Sequence, residues 1–129
     1  KKLGLKKGFR VSVLGQPDYF FALFTDLPQI ELVTVDEKKK DFIHYFVRKE
    51  KELLNNIAQL KEQIESNGMI WISWPKKTAN VATDITEDVI RSIGLANGLV
   101  DVKVCAVDEV WSGLKLVIPV KDRKKQIPF

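Results

Sequence analysis

Two lysines, Lys76 and Lys77, follow the apolar run "MIWISW" across Pro75 and open the segment "PKKTANVATD", residues 75–84. Ammonium groups beside the hydroxyls of Thr78 and Thr83, with the free amides of a helix that starts just after them, are groups that hold an anion. A second segment, "DEVWSG" at 108–113, offers the carboxylates of Asp108 and Glu109 for hydroxyls or a cation. Its indole, Trp111, could cover a planar ring, as could Trp74. "GQPD", 15–18, adds Gln16 and Asp18. The candidate ligand-binding set is therefore Gln16, Asp18, Lys76, Lys77, Thr83, Asp84, Asp108, Glu109, Trp111 and Ser112, and the ligand expected is an anionic or nucleotide-like small molecule. Each residue also has a plainer use. Asp84 can cap a helix, with Glu87 three residues on as in a capping box. The lysines can be solvated loop charges, and the acids ordinary hairpin residues. No Gly-rich phosphate loop is present.

Other chemistries are excluded by what is scarce. Cys105 is the only cysteine and His44 the only histidine, so neither an internal disulfide nor a Cys/His zinc site can form. His44 stands in the middle of "DFIHYFV", and Ser12 and Ser73 stand inside strand-like runs, which gives a Ser-His-Asp or Cys-His arrangement little support. His44 reads as a hydrogen-bonded core histidine and Cys105 as an inert buried thiol. The net charge of +4 is concentrated at the ends: residues 1–10 carry five basic groups and no acid, while 11–120 carry twelve basic and sixteen acidic residues. With only four arginines, specific nucleic-acid binding is not expected. No apolar run reaches the ~20 residues of a membrane span, no signal peptide is visible, and the cytoplasm is the simplest compartment. The chain opens on Lys1, which fits a trimmed start.

The elements that must position these residues follow from periodicity. Apolar, β-branched runs predict strands at 9–14, 30–35, 41–47, 69–74, 100–107 and 114–120. Helical spacing predicts a short helix over 17–24, a long one over 49–66 with Asn67-Gly68 as its stop, and a third from Asp84 to about Leu95. This alternation predicts a single α/β domain over 1–129: a sandwich around a mostly parallel sheet, with a C-terminal antiparallel hairpin and basic terminal segments. The six residues 36–41 are short for a parallel crossover. Either they run extended, or 30–35 is a frayed or antiparallel edge piece. In open sheets of this kind ligands bind beyond the carboxyl ends of the parallel strands, where 15–18, 48–50, 75–84 and 108–113 should emerge.

The stretches "LGLKKGFRVSVLGQPDYF" and "LLNNIAQLKEQIESNGMIWISW" resemble class I S-adenosylmethionine-dependent methyltransferases, in which an "LKPG" lead-in feeds a strand with an acidic end and a Gly-rich turn. That resemblance implies a three-layer Rossmann-like, methyltransferase-like sandwich with a cofactor site at the same edge. Val13 stands where the acidic residue would be, and in Gly15-Gln16-Pro17-Asp18-Tyr19 only the first glycine is kept. Asp36 stands at the end of the second strand, where the resemblance implies a ribose partner. Over a longer span, "DFIHYFV" and "ISWPKKTANVATDITEDVIRSIGLANGLVDVKVCAVDEVWSGLKLV" resemble a family of small bacterial proteins known only as a domain of unknown function. That likeness implies a compact bacterial α/β domain and assigns no catalytic residue.

Three functions follow as expectations. The first is a small-molecule binding domain without catalysis, using the ten residues above. The second is an interaction or scaffold protein, working through the edge at 30–35, the aromatic segment 17–24 or the basic tails with "QIPF", with a protein partner or a second copy of itself. The third is a residual methyltransferase, which requires S-adenosylmethionine binding.

Overall fold

The strand Lys40–Phe46, β3, carries the architecture. In "KDFIHYF", Ile43 and Tyr45 point to one face and Phe42, His44 and Phe46 to the other, so the strand must be covered on both sides. In the computed structural model, which describes residues 3–23, 28–33 and 39–122, it lies near the middle of a six-stranded sheet. The strands are β1 (Arg10–Leu14), β2 (Glu31–Leu32), β3 (Lys40–Phe46), β4 (Ile64–Pro75), β5 (Val100–Ala106) and β6 (Trp111–Val117), in the order β2-β1-β3-β4-β6-β5. The first four in that order are parallel, β6 runs antiparallel to β4, and β5 closes a hairpin on β6. The mostly parallel sheet with an antiparallel C-terminal hairpin is thus the fold expected.

Helices α1 (Glu50–Glu62) and α2 (Glu87–Ala96) both lie on one face of the sheet. Leu53, Ile57 and Leu60 of α1 and Ile90 and Ile93 of α2 join Ile43, Ile70, Ile72, Trp74, Leu114 and Leu116 in one cluster. The opposite layer is thinner. Among the described residues it is built from the N-terminal segment, with Leu3, Leu5 and Phe9, and a 3-10 turn at Phe20–Leu23. Between them they cover Val11, Phe42, Phe46, Met69, Trp71 and Trp111. Trp71 and Trp74, on opposite faces of β4, are both buried, and the Trp71 Nε1–H donates to the Leu3 carbonyl at 2.8 Å.

Several element boundaries differ from expectation. The helix expected over 17–24 is only the 3-10 turn, because Phe20 drives its ring inward against His44 and Phe46. The helix expected to 66 ends at Glu62, and Ile64–Gly68 belongs to β4, so Asn67-Gly68 is not a helix stop. Ile64 pairs with Lys40 across a register shift, and a Cβ at Gly68 would stand 3.1 Å from the Lys40 carbonyl oxygen. Glycine therefore serves a bulge here. The strand expected at 30–35 pairs with β1 only through Glu31 and Leu32, in the parallel sense, and 34–38 lie outside the described residues. Cys105, expected to be buried, is half-buried on the edge strand.

Candidate functional site

The chain leaves β1 to place β2 on one side and later returns to place β3 on the other. Strand order reverses there, and the crevice beyond the carboxyl ends of β1 and β3 is where such sheets bind ligands. Gly15 closes β1 with φ 69°. A Cβ on it would stand 2.6 Å from the carbonyl oxygen of Phe46 at the end of β3. Gln16 and Asp18, two of the expected site residues, are exposed on the turn that follows.

The turn is tied to the β5–β6 hairpin. Tyr19 forms side-chain hydrogen bonds with Asp108 and Trp111. Its phenol is pushed above its ordinary value by partial removal from water, then by the hydrogen bond and charge of Asp108, against the lowering effect of Trp111. Asp108 also accepts from the backbone N–H groups of Val110 (2.8 Å) and Trp111 (2.7 Å), so it shapes the hairpin turn. Trp111 was expected to stack on a ligand. It is instead buried: its ring meets Phe46 edge-on at 5.0 Å, and the Arg48 guanidinium lies over it at 5.7 Å. Its indole anchors the turn to the hairpin and holds Arg48 at the end of β3. Arg48 was not among the expected site residues. Its signal was its place directly after a buried central strand.

A second feature sits on the helix face of the same edge. Lys76, Lys77, Thr83 and Ser112 converge on a cavity of about 560 Å³ between the end of β4, the start of β6 and the first turn of α2. Trp74, Pro75 and Ile85 provide its apolar surface, and Thr86, Glu87 and Asp88 complete the wall. Periodicity placed these residues in elements without showing that they share a cavity. Glu87 and Asp88 both bind Arg91, at 2.6 and 3.0 Å, and Arg91 also takes Asp101 at 3.0 Å. The Thr83 hydroxyl donates to the Arg48 carbonyl at 2.6 Å and accepts from the Ile85 N–H at 3.1 Å, which fixes the loop against the end of β3.

The remaining expected residues divide between structure and solvent. Glu109 is exposed at the hairpin tip. Asp84 does not cap α2 and forms no capping box with Glu87. Thr86 is the cap, its hydroxyl accepting from the Val89 N–H at 3.2 Å. Asp84 instead accepts from the Glu50 N–H at 2.7 Å, capping α1, whose own N-cap residue Lys49 makes no side-chain cap bond. We expect Asp84→Ala to cost about 1 kcal/mol, the usual loss for a cap. In urea unfolding with amide exchange, it should release the Glu50 amide and leave Val89 protected. Fraying of α2 in that variant would restore the role expected from sequence.

His44 is a core residue, as expected. Its Nε2 lies 2.6 Å from Ser73 Oγ, and both residues are fully buried. The Phe46 ring stacks on the imidazole at 4.3 Å, and burial pushes its pKa down to about 3. Among the described residues Nδ1 has no hydrogen-bond partner and no carboxylate orients the ring, so His44 and Ser73 do not form a catalytic triad with them. Among the described residues no cluster of His, Cys, Asp and Glu could hold a metal, and no helix is long and apolar enough to cross a membrane.

No protein-family model and no curated protein sequence matches the chain. The likeness to a small bacterial family thus gains no support, whereas the methyltransferase-like fold is found in solved structures. A S-adenosylmethionine-dependent methyltransferase from Aquifex aeolicus matches with a TM-score of 0.62 at 17% identity, over 91% of this chain and 86% of that one. Magnesium protoporphyrin IX methyltransferase from Synechocystis PCC 6803, with bound S-adenosylmethionine, matches at 0.57 and 14%, over 87% and 71%. A ribosomal protein L11 methylase from Lactobacillus delbrueckii subsp. bulgaricus matches at 0.57 and 16%, again over 87% and 71%. At such identities the likeness is one of fold.

Proposed function

We propose that this chain is a residual S-adenosylmethionine-dependent methyltransferase domain that holds S-adenosylmethionine in the crevice beyond β1 and β3. The observation that carries this reading is the reversal of strand order at β1, with Gly15 left-handed at its carboxyl end. Support comes from the matching folds, which include a methyltransferase with that cofactor bound. They favour this reading over a binding domain without catalysis.

The residues present fit the cofactor in part. Gly15 supplies the turn, exposed Gln16 and Asp18 supply groups for hydroxyls and an ammonium, and Arg48 supplies a cation for a carboxylate. Pro17 withdraws one backbone donor that a glycine would keep, so recognition falls more heavily on side chains. Asp36, the ribose partner implied by resemblance, lies outside the described residues. Bound S-adenosylmethionine would supply an electrophilic methyl group. The chain's own part is to bind and orient it.

Titration calorimetry with S-adenosylmethionine and S-adenosylhomocysteine tests the reading. Both should bind, and at 100 times the dissociation constant either should add about 2.7 kcal/mol of stability. Replacing Gln16 and Asp18 together by alanine should weaken binding about tenfold, the loss of one net hydrogen bond or more. Absence of both heat and thermal shift at millimolar ligand would remove the proposal.

A further inference from the structure

The cavity at the end of β4 shares no lining residue with the β1–β3 crevice, although Thr83 in its wall bonds to the Arg48 carbonyl. Its volume, about 560 Å³, falls in the range of small-molecule sites. Its chemistry is divided. Trp74 and Ile85 line its floor from the core, buried to nearly the same extent as Trp111, and show the cavity only a small apolar area. Lys76 and Lys77 stand at the rim, and among the described residues no ion pair engages either ammonium. The two carboxylates of the wall are already bound by Arg91. One guanidinium serves three carboxylates there, Asp101 included, so the wall keeps negative charge, and Lys76 and Lys77 are the cations of the lining that no carboxylate engages among the described residues.

We propose that this cavity is a second binding site, for an aromatic acid: a small molecule whose ring system lies on Trp74 and Ile85 and whose carboxylate or phosphate meets Lys76 and Lys77. Ser112 offers a hydroxyl beside them, on the residue paired with Trp74 across β4 and β6. The Thr83 hydroxyl is used within the fold and gives the wall its position. An ammonium is a point charge on a flexible stem, so the site reads charge and a flat body with little demand on the acid's geometry. The proposal does not rest on S-adenosylmethionine binding, because it uses different residues.

The test is a titration followed by amide and indole N–H resonances, with four probes of one ring system. They are 2-naphthoate, 2-naphthyl phosphate, neutral 2-naphthalenemethanol and cationic 2-naphthylmethylamine. Either acid or both should shift the Trp74 indole and the Thr83 and Ser112 amides, and the stronger of the two identifies the acid group preferred. Both should bind at least tenfold more tightly than the alcohol and the amine. The double variant Lys76→Ala/Lys77→Ala should lose that advantage while melting at the wild-type temperature. Lys76→Gln/Lys77→Gln serves the same purpose should the alanine pair perturb the loop. Equal binding of amine and acid, unchanged affinity in a folded double variant, or no shift at the cavity with any probe would overturn the proposal. Repeating the series with saturating S-adenosylmethionine keeps the two sites apart, since loss of cofactor binding alone leaves the aromatic-acid result standing.

Discussion

Lowering the pH from 7 to 4 should remove about 3 kcal/mol of stability through His44 alone, at 1.36 kcal/mol per unit of displaced pKa. In the unfolded chain the imidazole takes its proton near the ordinary value of 6.5, whereas in the folded protein burial holds it down to about 3. Between those values the unfolded state binds more protons. The stability is therefore fully present above about pH 6.5 and is lost as pH falls toward 3. The cause is desolvation: the ring lies between Phe20, Phe42 and Phe46, and its one polar partner is Ser73. Urea unfolding across pH 4 to 7.5 measures the effect, with His44→Gln as the control that keeps a polar group toward Ser73. Carboxylates contribute in both proteins and cancel in the difference. Parallel stability profiles for wild type and variant would refute the assignment.

The consequence reaches the candidate site. His44 stacks on Phe46, Phe46 supports the Trp111 ring, and the Phe46 carbonyl faces Gly15. Protonating the imidazole thus disturbs the floor beneath the crevice as well as the core. In the folded protein that protonation waits until about pH 3, so ligand affinity there should hold while stability falls between pH 6.5 and 4.

How much of this could be read from the chain depends on which forces decided each element. The two-sided apolar strands β3 and β4 and the stripe Leu53-Ile57-Leu60 were legible, because burial enforces their periodicity. Their pairing put the carboxyl edge where it was expected, and with it 15–18, 75–84 and 108–113. Residue roles along that edge were less legible, since they depend on partners distant in sequence. Asp84 satisfies a helix start 34 residues away rather than the one next to it. Trp111 reads in the sequence as an indole that could cover a planar ring, yet Tyr19, Phe46 and Arg48 from two other elements occupy it. The stretch Ile64–Gly68 continued a helical pattern and became strand because Lys40 offered a pairing partner. Local propensity yielded to tertiary pairing there.

Gly15→Ala should destabilise the domain by about 3 kcal/mol, from two sources that can be separated. The first is backbone conformation: φ is 69°, and an L-residue held left-handed costs about 1–2 kcal/mol. The second is contact. The new Cβ would stand 2.6 Å from the Phe46 carbonyl oxygen, which is backbone and cannot rotate away as a side chain could. Relief requires β1 and β3 to part at their carboxyl ends, where Leu14 pairs with Tyr45. Gly15→Asn distinguishes the sources, because asparagine tolerates the left-handed region while its Cβ meets the same oxygen. If contact dominates, the two variants should be nearly equally unstable in urea. If conformation dominates, asparagine should recover about 1 kcal/mol. Wild-type stability in both would mean that the turn can move off β3. In that case Gly15 would neither set the end of β1 nor define the mouth of the crevice, and the strand-order reversal would lose its value as the mark of a cofactor site.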